Sequence, residues 1–216
     1  MKQQAVQNGR RTPGDWALFT FLSLIWAGAY QLTRIAVDKG NPGEGLPVAW
    51  VLAGRLTVGA AVLWVIMLAM GQRLPPFSDF KRWRTIIGMG LAGSVFPFFL
   101  ITTAQETVNS SLAALYTAAS PLFVASGAHF LFRDEKLTAG SAVGVILGFA
   151  GVALLFGPDA LSSLDSASTV AQMLLIASTL FYAISSLIAR GAPQMNPVAF
   201  ATGFVTVSAI VTWPMA

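Results

Sequence analysis

Seven apolar runs, each about as long as a bilayer is thick, divide this chain: 16–37, 47–70, 85–104, 109–132, 139–156, 170–189 and 197–216. Crossing ~30 Å of hydrocarbon at ~1.5 Å per residue takes roughly 20 helical residues. A lipid-exposed backbone must satisfy its own hydrogen bonds, and none of the runs has the strict alternation of a membrane strand. The expected fold is therefore all-α, a polytopic membrane helix bundle with seven visible spans. With 55% hydrophobic and 10% charged residues, no single water-soluble core could hide this much apolar surface. The first run is too long for a signal-peptide core and has no small-residue cleavage site behind it, so it is expected to remain as a helix.

The chain also repeats itself loosely. Leu18, Leu24, Ala27 and Arg34 fall on Leu174, Leu180, Ala183 and Arg190, with Ser23 on Thr179 and Trp26 on Tyr182. Pro47, Val48, Ala49 and Trp50 then meet Pro197, Val198, Ala199 and Phe200. The second copy begins five spans after the first, and an odd number of spans per unit turns it upside down, giving an inverted five-helix repeat. The expected organisation is a polar cytoplasmic segment 1–15, a first five-helix unit 16–156, an extracytoplasmic linker 157–169 rich in Asp and Ser, and a second unit, 170–216. That second unit is incomplete: two of its five helices are visible. In membrane proteins such repeats point to carriers, whose sites lie where the units meet.

The net charge of +4 sorts by side rather than forming a nucleic-acid surface. Lys2, Arg10, Arg11, Arg73, Lys81, Arg82, Arg84, Arg133, Lys136 and Arg190 fall on one side of alternating spans, against Arg34 and Lys39 on the other. The positive-inside rule then makes the N-terminus cytoplasmic and the protein a multi-pass component of the inner (plasma) membrane. Nucleic acid is not an expected partner; lipid and a small-molecule substrate are. The absence of Cys excludes disulfides and thiolate metal sites. With one His and no acidic cluster in a span, neither a metal nor a cofactor is expected. No Walker loop, HExxH or GxSxG motif is present, which argues against an enzyme.

Arg55 is the most telling position. It lies eight residues after Pro47, hence ~12 Å into the membrane. An arginine there costs at least ~2.5 kcal/mol on insertion scales, so it must face protein or a wet cavity. Two readings are open: its fork draws a carboxylate-bearing substrate, or it pairs with carbonyls or a neighbouring helix. Asn109, Ala113, Tyr116 and Ser120, flanked by Ser110 and Thr117, form one polar face of the fourth span, which lines either a cavity or another helix. Gln105 and Glu106 close the third span, where Glu106 either meets water or partners Arg55. Trp26 and Tyr30 share a helix face, with Tyr182 in the place of Trp26 in the second copy, as ligand walls or as packing. Pro97 and Pro121 interrupt their spans and mark either gates or static bends. Gly140, Gly144, Gly148 and Gly151 make a small-residue ridge for close helix packing within the chain or, as the alternative, in a homodimer. Gly88 and Gly93 offer a similar service in the third span. His129, near one end of span four, is an interfacial His or a proton relay. No span carries an interior Asp or Glu to act as a buried-carboxylate proton switch.

The phrases Trp26-Ala-Gly-Ala-Tyr30, Ala53-Gly-Arg55-Leu56, Asn109-Ser-Ser-Leu-Ala-Ala-Leu-Tyr116, Ser120-Pro121-Leu122-Phe123 and Phe132-Arg-Asp-Glu-Lys-Leu137, with Gly144 to Gly151 behind them, occur in that order. In this the chain resembles the EamA-type domain of the drug/metabolite transporter superfamily. The resemblance covers nearly everything after the polar head. It implies two inverted five-helix domains and a secondary carrier, typically an exporter of amino acids or related small metabolites, with Arg55 and Ser120-Pro121 as matching functional elements. The sequence departs from that pattern by showing seven spans. A non-transporting membrane assembly or regulatory protein, or an inactive fragment, is the alternative.

Overall fold

The computed structural model describes residues 12–38, 45–132, 134–156 and 167–216. Most of the polar segment 1–15 and of the linker 157–169 lies outside them, as do Lys39 and Arg133. The described residues form seven helices and no strand. They are α1 Pro13–Val37, α2 Val48–Ala69, α3 Phe80–Ala104, α4 Ser110–Leu131, α5 Ala139–Phe156, α6 Ala167–Arg190 and α7 Pro197–Thr212, the last followed by a 3-10 turn, Trp213–Met215. Each expected span falls on a helix; α3 starts five residues earlier than the apolar run, where Asp79 caps it, accepting from the Arg82 N–H at 3.1 Å.

Length and composition let α2, α3, α4, most of α6 and the run Pro197–Met215 cross a membrane. α5, over 139–154, is a shorter apolar helix, and α1, at 25 residues, falls short in hydropathy. α1 opens on a capping box. The Thr12 N–H and hydroxyl donate to Asp15 at 2.7 and 2.9 Å, and these bonds hold the exposed Asp15 carboxyl below the usual carboxylate range.

The polarity of the bundle is inside out. Leu18, Phe21, Leu24, Val65, Ile146 and Leu154 are all more than half exposed, a surface that suits acyl chains and would aggregate in water. Ser94, Ser178, Thr179, Thr202, Ser208 and Thr212 are buried instead. Such residues let helices approach closely and bond across the contact. Thr202 and Ser208 of α7 donate to Leu63 O of α2 and Gly90 O of α3, at 3.3 and 3.0 Å. Trp64 Nε1 of α2 donates to Thr206 Oγ1 of α7 at 3.0 Å.

α6 packs along α3 and α4, and α7 along α2 and α3, so the two later helices are built into the first five. At Gly90 a glycine meets the backbone of another helix: an added Cβ would stand 2.9 Å from Phe204 O. Of the ridge on α5, only Gly148 meets a neighbour, Leu122; a Cβ at Gly140, Gly144 or Gly151 would meet nothing within 4 Å. The ridge expected to pack as a unit therefore does so at one residue among the described contacts, because α5 touches the bundle mainly through α4.

The two prolines differ. Pro97 is buried and follows a π-turn, Leu91–Val95, which absorbs the missing N–H without ending α3. Pro121 follows a break at Ala118 and Ala119 that splits α4 into two helical pieces. There the Thr179 hydroxyl, donating to Leu175 O at 2.8 Å, also reaches Tyr116 O at 3.3 Å.

Candidate functional site

Four helices bring one face each to the middle of the bundle. Trp26, Ala29, Tyr30 and Thr33 repeat at i, i+3, i+4 and i+7 on α1; Phe98, Ile101, Thr102 and Gln105 do the same on α3. With Arg55 of α2 and Tyr182 of α6 they line a narrow pocket of about 20 Å³, at which Trp26 and Arg55 are exposed. Five of the eight residues singled out from sequence as substrate contacts line it: Trp26, Tyr30, Arg55, Gln105 and Tyr182.

Arg55 stands over the ring of Phe98, 4.1 Å from its centroid. Among the described residues it has no ion pair and no hydrogen bond, so it is not paired with Glu106. Gln105 is fully buried. Its Nε2 donates to Tyr30 O at 2.9 Å, its own carbonyl accepts from the Arg34 guanidinium, and its Oε1 has no partner. An unsatisfied buried acceptor costs ~1–3 kcal/mol, which a bound donor would recover. The site thus holds one uncompensated cation and one unused acceptor within apolar and phenolic walls.

The end of α1 is fastened beside the site. Arg34 also pairs with Asp38 at 3.1 Å, and Ser110 Oγ donates to Gln31 at 2.6 Å. Tyr30 Oη and Thr117 Oγ1 share a bond of 2.7 Å, joining α1 to α4.

The other three sequence candidates lie elsewhere. Tyr116 is buried against Leu175 and Ala171 of α6, and its hydroxyl donates to Gln172 Oε1 at 2.5 Å. Asn109 is exposed and caps α4 by accepting from Leu112 N–H at 2.8 Å. The α4 stripe therefore packs on a helix through Ala113 and Tyr116, and Thr117 and Ser120 are its members that line a groove. Ser120 lines two wider grooves that continue from the central cavity. The first, about 380 Å³, shares Trp26, Tyr30 and Tyr182 with it. The second, about 530 Å³, runs between α4 and α6 past Pro121 and Ser186 to Glu135 and Arg190, which form an ion pair. Along α6 the distance from Tyr182 to Arg190 is eight residues, ~12 Å.

Sequence reasoning passed over Phe98, Thr102 and Thr33. Counting back a turn and two turns from Gln105 finds Thr102 and Phe98; counting forward from Tyr30 finds Thr33.

A model of the EamA-like transporter family matches residues 14–157. Over 173 residues the chain is 19% identical to the "Uncharacterized transporter YoaV" of Bacillus subtilis, covering 78% of this chain and 54% of that protein. Over 201 residues it is 23% identical to an "Uncharacterized transporter" of Archaeoglobus fulgidus, covering 92% of this chain and 66% of that protein. The chain thus spans a little more than half to about two thirds of these relatives. No solved structure matches it.

Proposed function

Since the chain belongs to the EamA-like transporter family, we propose that it works in a secondary carrier exporting a small carboxylate-bearing metabolite, such as an amino acid or related compound, across the inner membrane. The observation that carries this reading is the unpaired Arg55 beside the orphaned Gln105 Oε1. A cation at that depth is kept at a cost, and here neither a carboxylate nor a carbonyl offsets it. A substrate carboxylate would pair with Arg55, and a donor on the same molecule would satisfy Gln105. Trp26, Phe98 and Tyr182 would supply the apolar walls. No nucleophile with a positioned base lines the cavity among the described residues, so binding and release, not covalent chemistry, is the reading that fits.

Transport would proceed by alternating access between two oppositely oriented five-helix units. Support comes from the repeat-matched pair α2 and α7, which pack on one another, and from Arg34 and Arg190. Arg34 binds at the C-terminal end of α3 and Arg190 beside the C-terminal end of α4, at opposite ends of the bundle. With about 20 Å³ between its walls, the central site is closed down, and the helices must part for a metabolite to enter. The grooves along α4 and α6 mark the route to the end that carries Arg73, Lys81, Arg82 and Arg190, the cytoplasmic one by charge.

The test is flux in proteoliposomes holding the full-length protein. Carboxylate-bearing solutes should exchange and their amide or ester analogues should not. Equal flux of charged and neutral analogues, or none above empty vesicles, would sink this reading.

A further inference from the structure

At the basic end of the bundle, between α2–α3 and α6–α7, lies a cavity of about 370 Å³ whose polar lining is Arg73, Arg82, Gln194 and Asn196. It shares no residue with the central site. We propose that it binds the phosphate headgroup of an anionic phospholipid.

Arg82 is held in place from two sides. It pairs with Asp79 at 3.1 Å, and Nη2 donates to Gln194 O at 3.3 Å. Arg73 has no ion pair or hydrogen bond among the described residues. Two guanidiniums therefore line one cavity, only one of them paired with a carboxylate, Asp79, and the balance is positive. The Oδ1 of Asn196 is taken by the N–H groups of Val198 and Ala199, at 2.9 and 3.3 Å, which leaves its NH₂ group as a further donor. Planar forks and amide donors around one cavity suit phosphate oxygens.

The neighbouring segment favours a lipid over a soluble phosphate. Between Arg73 and Arg82, Phe77 and Phe80 are 89% and 76% exposed. Trp83 stacks on Phe77 with centroids 5.1 Å apart, and its Nε1 donates to Pro76 O at 3.1 Å. Exposed rings beside cations where the spans begin are the composition of the headgroup boundary, and a basic pocket between helices there recognises acidic headgroups. A phosphate free in water would gain nothing from those rings.

The experiment is native mass spectrometry of the full-length protein, in detergent with equal amounts of phosphatidylglycerol and phosphatidylcholine. Phosphatidylglycerol should be retained preferentially, and Arg73→Gln should lower its bound fraction about fivefold while leaving phosphatidylcholine unchanged. Arg84→Gln, which removes a nearby charge outside the cavity, should change nothing. Arg73 holds nothing else in the fold, so its variant keeps the test valid even where Arg82→Gln loses structure. Equal retention of the two lipids, an unchanged Arg73→Gln, or displacement of the lipid by millimolar inorganic phosphate would overturn the proposal. None of these outcomes touches the carrier reading, which rests on Arg55.

Discussion

The guanidinium of Arg55 lies 4.1 Å above the ring centroid of Phe98, on the next helix. Arg55 is exposed, and a cation–π contact at an exposed site contributes ~0.5–1 kcal/mol, against an insertion cost of ~2.5–3.5 kcal/mol for an arginine at the membrane centre. Phe98 thus offsets part of the cost of holding a cation there while leaving every N–H of the fork free. A carboxylate in its place would have neutralised the site. The ring keeps Arg55 both tolerable and available.

Replacing Arg55 by Ala should abolish flux of carboxylate-bearing solutes while leaving the protein inserted. Each charged hydrogen bond lost is worth ~1.5–3 kcal/mol, so binding should weaken by at least roughly 10- to 100-fold. Arg55→Lys should recover part of it, since the charge returns without the bidentate fork. Flux per inserted molecule checks this, with the amount in the membrane fraction as control; wild-type flux from Arg55→Ala would remove Arg55 from the substrate site.

Tyr116 should behave oppositely. Its hydroxyl donates to Gln172 Oε1 at 2.5 Å within the packed interface of α4 and α6. Tyr116→Phe leaves that acceptor unpaired, which should cost ~1–2 kcal/mol of stability and leave flux per folded molecule unchanged. Thermal unfolding in detergent, read beside flux, separates the two effects.

The spans were legible because twenty-residue apolar runs have one physical solution in lipid, and Arg55 was legible because its depth follows from counting from Pro47. Tyr116 and Asn109 were misplaced for a single reason. A polar helix face in a membrane bundle meets either a cavity or another helix, and periodicity does not distinguish them; α6 occupies that face at Tyr116, and Asn109 is consumed as a cap. Phe98 was missed because an apolar ring in an apolar run carries no signal until the cation above it is seen. The glycine ridge shows the same limit, since spacing alone gave Gly144 the same weight as Gly148.

Glycine substitutions should therefore sort by contact rather than by motif. A Cβ at Gly90 would stand 2.9 Å from Phe204 O and 3.1 Å from Ser208 Oγ, so Gly90→Ala must push α3 and α7 apart. A cost of ~1–3 kcal/mol is expected. Gly144→Ala meets nothing within 4 Å and should be neutral or stabilising by up to ~1 kcal/mol through helix propensity. Thermal unfolding of the two variants decides it, and equal destabilisation would mean the α5 ridge is packed after all.

The Arg190–Glu135 pair ties α6 to the loop after α4, at the far end of the groove that leads from the central cavity. Both side chains are about half exposed, at 40% and 46%, and a pair so exposed contributes ~0–1 kcal/mol. It can open and close cheaply, as a contact at the mouth of the proposed transport route would have to. Lys136 Nζ donates to His129 O at 2.5 Å, and Leu137 N–H donates to His129 Nδ1 at 3.0 Å, so the loop stays anchored to α4 when the pair opens. Glu135→Arg and Arg190→Glu should each slow flux severalfold with little loss of stability, and the double exchange should restore it, because the attraction returns with its ends swapped. The sequence has no Cys, so Ser186→Cys, placed in the groove, gives a second readout through labelling by a membrane-impermeant maleimide. Labelling from the cytoplasmic side should quicken in each single variant and return to the starting rate in the double exchange. If it stays constant in all three, the pair is a surface contact with no part in opening the route.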